Sequence, residues 1–284
     1  MKITMFKVIG NYIIAPGVRR MEILAPRIAR KARAGQFVVI RVDETGERIP
    51  LTLVDWDSKR GSITLVFQEV GVTTKKLGRI GKGGYILDVT GPLGNPTEIK
   101  KYGVVVGVGG GVGNACLLPV MREFKRAGNY TISMIGARTS ELLILEDELK
   151  DVSDELYIAT DDGSKGYKGF VTDLLKKYLE EKVPDLVYAV GPTIMMKVAS
   201  SITRPYNVKT IVSLNPIMVD GTGMCGACRV IVDGKLRFAC IDGPEFDGHK
   251  VDFDSLINRI RMYKKEEEVA LSLLEKRGGD NYGI

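Results

Sequence analysis

The 284-residue chain contains one histidine, one tryptophan, four cysteines and only two glutamines, Gln36 and Gln68. A single histidine excludes a histidine-rich metal centre, and His249 has no acid–base partner evident in the sequence, so it is given no role. Aromatic residues make up 7% and do not interleave with a basic patch; the net charge of +6, from 41 basic and 35 acidic residues, therefore does not point to nucleic acid. A mildly positive surface suits acidic partners or anionic cofactors instead. No stretch reaches the roughly 18 apolar residues of a membrane span, and residues 1–8 lack the apolar core of a signal peptide. A cytoplasmic protein without membrane attachment is the expectation. Many Lys and Glu beside so few Gln form a composition found in thermophiles.

What is present is enough for more than one core, since 44% of the residues are hydrophobic. Short β-rich runs at 37–42, 62–66 and 85–89, separated by Gly, Pro and charged turns, predict an antiparallel β-barrel over residues 1–98. From Tyr102 the texture changes. An apolar run at 104–108 enters a glycine loop, a helical stretch follows at 116–126, and another strand at 131–135. This alternation continues to about residue 212 and predicts an α/β parallel-sheet domain over 99–212. Residues 213–284 form a small module in which Gly221, Gly223, Gly226, Gly234 and Gly243 crowd three cysteines. Its last segment, 253–277, carries Leu256, Ile257, Ile260, Val269, Leu271, Leu273 and Leu274 among many charges. One C-terminal helix is expected there, with an apolar face for its own chain or a partner. The fold class is thus α+β and multi-domain, without internal repeats.

Asp220, Cys225, Cys228 and Cys240 are spaced D-x4-C-x2-C-x11-C, in a glycine-rich loop. A plant-type 2Fe-2S loop needs a ligand, four residues, a thiolate, two residues, a thiolate and then a distant one. Aspartate stands first here, a harder donor than sulfur that shifts cluster potential and stability. The same donors also permit a structural zinc site with one Asp and three Cys, and three unligated thiols are the remaining reading. Cys116 lies apart from the other three and reads as a small buried apolar residue.

The run Gly109-Gly110-Gly111-Val112-Gly113-Asn114 follows a strand and opens a helix, as a pyrophosphate-binding turn does. A tight turn needing positive φ would use the same residues. Gly136-Ala137-Arg138, Asp161-Asp162-Gly163 and Gly191-Pro192 with Met195 end three further strands. In a parallel sheet all of these project from the carboxyl edge, where ligands bind.

Taken in order, these motifs resemble the ferredoxin reductase superfamily over nearly the whole chain. They are most similar to the electron-transfer subunit of dihydroorotate dehydrogenase and to the small subunit of NADH-dependent ferredoxin:NADP oxidoreductase, also known as sulfide dehydrogenase. The telling stretches are Arg48-Ile49-Pro50-Leu51-Thr52, Gly91-Pro92-Leu93-Gly94, the glycine loop, Thr160 to Ser164 followed by Lys168-Gly169, Gly191 to Met196, and the cysteine loop. The first of those branches holds its cluster with four cysteines, whereas the second is similar to this chain in placing aspartate first. The resemblance implies FAD across the barrel, with Pro50, Leu51 and Thr52 at the isoalloxazine and Gln68, Gly71, Thr73 and Thr74 toward the ribityl and phosphates. It implies a nicotinamide nucleotide over Gly110, Gly111, Gly113, Asn114, Arg138, Asp161, Asp162, Gly163, Gly191, Pro192 and Met195. A 2Fe-2S cluster on Asp220, Cys225, Cys228 and Cys240 completes the set.

The sequence departs from the superfamily pattern twice. Arginine usually stands three residues before the flavin-contacting Ser or Thr; Ile49 is there, and Arg48 lies one position earlier. Cysteine usually precedes the Gly-Pro pair, where this chain has Val190. The expected function is electron transfer among NAD(P)H, FAD and the cluster, to or from a larger flavoprotein or iron–sulfur catalytic subunit and through that heterodimer to ferredoxin. No catalytic acid or base is expected beyond the cofactors, with Thr52 tuning the flavin. The alternatives are the dihydroorotate dehydrogenase electron-transfer subunit and, from another class, a zinc-stabilised nucleotide-sensing module. Arg138 suits the 2'-phosphate of NADP(H), whereas Asp161 and Asp162 suit free ribose hydroxyls; the balance favours NAD(H).

Overall fold

A computed structural model describes residues 5–276. Its first part contains β1 (Phe6–Ala15), β2 (Val18–Leu24), the short α1 (Pro26–Ala29), β3 (Phe37–Arg41), β4 (Arg48–Asp57), β5 (Ser62–Gln68), α2 (Val72–Arg79), β6 (Tyr85–Ile86) and β7 (Asp88–Leu93). The sheet order is β6-β1-β2-β5-β4-β3-β7, and every pairing is antiparallel. Only Leu87 separates β6 from β7, so the two edges of the sheet are one stretch of chain and the barrel closes. The run expected at 85–89 is therefore two strands, bent where the chain leaves β1 for β3. Alternation with period two fills the interior: Met21 and Ile23, Val38 and Ile40, and Ile63, Leu65 and Phe67 are each 0–2% exposed. Burying each such side chain contributes about 2 kcal/mol.

The second part contains β8 (Val104–Gly110), α3 (Gly113–Arg126), β9 (Tyr130–Ala137), α4 (Glu146–Asp151), β10 (Glu155–Thr160), β11 (Tyr167–Lys168), α5 (Val171–Glu181), β12 (Leu186–Val190), α6 (Thr193–Thr203) and β13 (Lys209–Ser213). The sheet runs β11-β10-β9-β8-β12-β13 in parallel. The chain steps outward from β8 to β10 and then returns to the other side of β8 with β12. The crevice at the carboxyl ends of β8 and β12 is the topological switch point, where such sheets bind ligands. Near-continuous apolar strands, such as Leu186–Val190 with all five residues buried, mark a sheet covered on both faces.

The third part is sewn onto both others. It contains β14 (Arg229–Val232), β15 (Lys235–Phe238), β16 (Glu245–Asp247), α7 (Phe253–Ile260) and α8 (Lys264–Lys276). β14 and β15 form a hairpin, and β16 adds antiparallel to the free edge of β13. The expected single helix over 253–277 is two helices, and residue 277 lies outside the described residues. The apolar stripe that seats Phe253 and Leu256 is interrupted by the charged run 264–268, so no buried face carries α7 onward. After residues 261–263, α8 turns to α2, where Leu274 is buried and Lys75 pairs with Glu275 at 2.9 Å. Among the described residues no helix is long and apolar enough to cross a membrane.

Candidate cofactor sites

The barrel and the parallel-sheet part share one core, in which Val54 and Val66 of the barrel pack with Val105, Leu117, Phe124 and Tyr188. Helix α3 lies on β4: Arg122 pairs with Asp55 at 2.7 Å, and Cys116 stands beside Thr52. Burial raises the Cys116 thiol above its ordinary range, with the Thr52 contact opposing. Cys116 is thus a neighbour of Thr52, a contact no sequence spacing announces across more than sixty residues.

On the barrel, Pro50, Leu51 and Thr52 are half-buried and pair with Val39, Val38 and Phe37 of β3. Arg48 is exposed at the start of β4. Gln68 ends β5, and Gly71 caps α2. The Thr74 hydroxyl accepts from the Gly71 N–H and donates to the Gly71 carbonyl, both at 3.0 Å. Thr73 is buried, and a Cβ on Gly71 would meet open space. The eight-residue α2 therefore presents its first N–H groups beside open space, an arrangement that suits phosphate oxygens.

At the switch point the glycines divide into two kinds. A Cβ on Gly113 would overlap the Val190 carbonyl and the Gly191 Cα, and one on Gly110 would lie 2.6 Å from Met195 Sδ and 3.1 Å from Pro192 Cδ. These glycines let the loop after β8 press against the loop after β12. Gly111, with φ +56°, faces open space, so its neighbourhood can receive a ligand. Asn114 is fully buried, its Nδ2 donates to the Gly136 carbonyl at 3.4 Å, and its Oδ1 has no hydrogen-bond donor.

Arg138, Asp161, Asp162 and Gly163 are exposed on the same edge. The Asp161 and Asp162 N–H groups donate to the Ala137 and Arg138 carbonyls at 3.1 and 3.2 Å, stapling the two loops together. The Ser164 hydroxyl donates to Asp162 at 2.6 Å and, with the Ser164 N–H, holds its carboxyl below the ordinary range.

The cysteine loop stands on the barrel. A Cβ on Gly221 would lie 2.7 Å from Leu93 Cδ1 and 3.0 Å from Val39 Cγ2, and Val39 is the strand partner of Pro50. Phe37, Val39, Met218, Cys228, Ala239 and Cys240 form one small core. Positive φ at Gly221, Gly223 and Gly226 wraps the loop back on itself.

Two of the four candidate donors stand with their ligand atoms side by side, and a third is tied to the backbone of the fourth. Cys228 and Cys240 are buried with their sulfurs 3.2 Å apart; Asp220 Oδ2 accepts from the Cys225 N–H at 2.9 Å, and Oδ1 from the Thr222 N–H at 2.9 Å. Those N–H groups, Thr222 first, hold the Asp220 carboxyl below its usual range. Burial, with Cys228 adding to it, pushes the Cys240 thiol up to about 12, so a metal must displace a proton to bind it. Among the described residues, no three His, Cys, Asp or Glu converge on a single ion. Donors that do not close on one point suit a dinuclear cluster with two protein ligands per iron better than one tetrahedral zinc. The Ala227 and Cys240 N–H groups lie 3.5 Å from the Cys225 and Cys228 sulfurs, the kind of contact that tunes cluster potential.

Comparison with known proteins accords with this layout. Residues 108–201 match the oxidoreductase NAD-binding domain, and residues 215–252 match the iron-sulfur cluster binding domain of dihydroorotate dehydrogenase B. A homolog of the dihydroorotate dehydrogenase B (NAD(+)) electron transfer subunit from Thermotoga maritima is 49% identical over 97% of each chain. The corresponding electron transfer subunit of Desulforamulus reducens is 34% identical over 86% of this chain and 96% of its own. Among solved structures, a chain of the NADH-dependent reduced ferredoxin-NADP oxidoreductase is 48% identical, with a TM-score of 0.91 over 96% of this chain and 98% of that one. Phthalate dioxygenase reductase, 17% identical with a TM-score of 0.57 over 81% of this chain and 87% of that one, shares the fold. Such similarity along the full length, with the NAD-binding and iron–sulfur-binding domains in the order expected, makes the function electron transfer. The chain belongs to the family of dihydroorotate dehydrogenase B electron transfer subunits and their homologues.

Proposed function

We propose that the chain carries electrons between a nicotinamide nucleotide and a larger partner subunit by way of one FAD and one 2Fe-2S cluster. Residues 1–98 would hold the FAD, 99–212 the nucleotide and 213–284 the cluster, in a cytoplasmic complex. One observation carries this reading: α3 meets Thr52 from one side while the cysteine loop seats on Val39, the partner of Pro50, from the other. Three candidate cofactor sites thereby meet the barrel at the paired strands β3 and β4.

Flavin, when bound, supplies the exchange between hydride transfer and single-electron transfer that nicotinamide and iron–sulfur chemistry require. The chain's own residues bind and orient. Thr52, with Cys116 beside it, is placed to offer a hydroxyl at the flavin edge. Gly111 and the open side of the loop after β8 admit the nucleotide, and the Asn114 amide oxygen is a buried acceptor awaiting a donor. Asp220, Cys225, Cys228 and Cys240 would supply the cluster ligands, two to each iron. Asp161 and Asp162 support NAD(H) as the nucleotide.

Aspartate at the first ligand position supports the ferredoxin:NADP oxidoreductase branch, with ferredoxin reached through the partner. The electron transfer subunit of dihydroorotate dehydrogenase B is the second reading, favoured by the Thermotoga maritima homolog. Purification of the untagged complex separates them. A partner that binds FMN and turns over dihydroorotate establishes the second reading; a partner that exchanges electrons with ferredoxin and NADP establishes the first.

A further inference from the structure

Glu245 is a half-buried acid with no part in the electron path between nucleotide, flavin and cluster. It sits in β16 where the three parts of the chain meet. Its Oε1 accepts from Thr97 Oγ1 at 2.6 Å, on the segment leaving the barrel, and from the Tyr188 hydroxyl at 2.8 Å, on β12. A Cβ on Gly35 would lie 2.6 Å from the same oxygen, so the barrel backbone presses against the carboxyl. A cleft of about 520 Å³, lined also by Glu98, Lys209, Asp247 and His249, reaches it from solvent.

Among the described residues no cation pairs with the Glu245 carboxyl. Lys209 is turned to Glu98 at 3.5 Å, and Lys250 lies 3.9 Å from Asp247. His249 Nε2 is hydrogen-bonded to Thr203 at 2.9 Å, and Asp247 accepts from the His249 N–H at 3.0 Å. Burial therefore raises Glu245 to about 7, against the pull of the Thr97 and Tyr188 hydrogen bonds. An acid poised there changes charge in response to small changes in local potential.

The other end of this contact line is the flavin site. Tyr188 is buried in one core with Leu117 and Phe124 of α3, Cys116 packs against that core, and α3 lies on β4, the strand of Thr52. Negative charge added beside Thr52 acts on Glu245 across this shared core, where it is screened less than in water.

We propose that Glu245 is a redox-linked proton site: it takes a proton from the cleft when electrons enter the site around Thr52 and returns it when they leave. The O–H bond forms on the Glu245 carboxylate, the proton comes from cleft water, and the electrons come from reduced nicotinamide and never reside on Glu245. The site keeps the interior closer to neutral while the chain is loaded with electrons. The inference rests on the flavin reading above.

The test is redox-difference infrared spectroscopy of the flavin-loaded protein, with proton uptake on reduction followed by a pH dye in weak buffer. At pH 7 the wild-type protein should gain a carboxylic-acid C=O band and take up as much as about half a proton more than Glu245→Gln. That excess should vanish near about pH 5, where the acid is already protonated in both redox states. Tyr188→Phe, which keeps the acid but removes a hydrogen bond to its ionised form, should move the uptake window to higher pH. Equal uptake by wild type and Glu245→Gln at every pH, or a band that persists in Glu245→Gln, overturns the proposal. If Glu245→Gln does not fold, an uptake window unmoved in Tyr188→Phe overturns it instead. Absence of flavin from the purified protein would sink the flavin reading, a result distinct from flavin present without the band.

Discussion

Replacing Glu245 by Gln should stabilise the protein at neutral and higher pH, by an amount that follows from the burial of the acid. Gln keeps a carbonyl oxygen where Thr97 and Tyr188 donate and turns its amide toward the cleft, so the hydrogen bonds at 2.6 and 2.8 Å survive. It removes the cost of ionising a buried carboxyl. In the folded chain Glu245 titrates near 7 against an ordinary 4.5. The folded state thus holds a proton that the unfolded chain has already lost. Stability from this site is fully present below pH 4.5, falls as pH rises through 7, and is flat above it. The difference of about 2.5 pH units corresponds to about 3 kcal/mol at full ionisation. Urea unfolding at a series of pH values between 4 and 9 measures it, with the m-value checking that both proteins unfold alike. The wild-type midpoint should decline across this window relative to the variant. Parallel profiles for the two proteins would refute the reasoning.

Thr52→Ala should slow flavin reduction by NADH in stopped-flow measurements while FAD content stays unchanged; an unaltered rate rejects the tuning role. Gly113→Ala, whose Cβ would overlap the Val190 carbonyl, should lower the melting temperature clearly. Gly111→Ala, strained by φ +56° but facing open space, should cost about 1 kcal/mol and chiefly weaken NADH binding, measured by calorimetry. In metal-free protein, alkylation followed by mass spectrometry should label exposed Cys225 first, ahead of Cys228 and Cys240 at 1% and 4% exposure. Asp220→Cys should keep the iron and shift the electron paramagnetic resonance spectrum, because a thiolate replaces a harder oxygen donor.

The barrel, the parallel sheet and the cysteine loop were legible because each rests on local pattern: period-two strands, strand–helix alternation, and glycines that positive φ requires. The carboxyl-edge loops followed from topology, since every parallel strand delivers its turn to one side. The division of the C-terminal helix was hidden because it depends on which neighbour buries each face. The apolar stripe of α7 serves α6, and that of α8 serves α2. Contacts across parts left no local trace. Cys116 reads as a filler residue in sequence, yet the position of α3 on β4 makes it the partner of Thr52. Glu245 looks like an ordinary charge in a Gly-Pro-Glu-Phe turn, and only β13–β16 pairing and the approach of Gly35 enclose it. The two kinds of glycine in the loop after β8 likewise separate only when Gly191 and Met195 are in place.

A flavin and a dinuclear iron cluster held side by side at the paired strands β3 and β4 are the core of the proposed function. Iron, acid-labile sulfide, zinc and FAD should be counted per chain in protein purified without oxygen. About two irons, about two sulfides and about one FAD should be found, with both chromophores bleached by NADH. A colourless protein holding a single zinc and no flavin would contradict it.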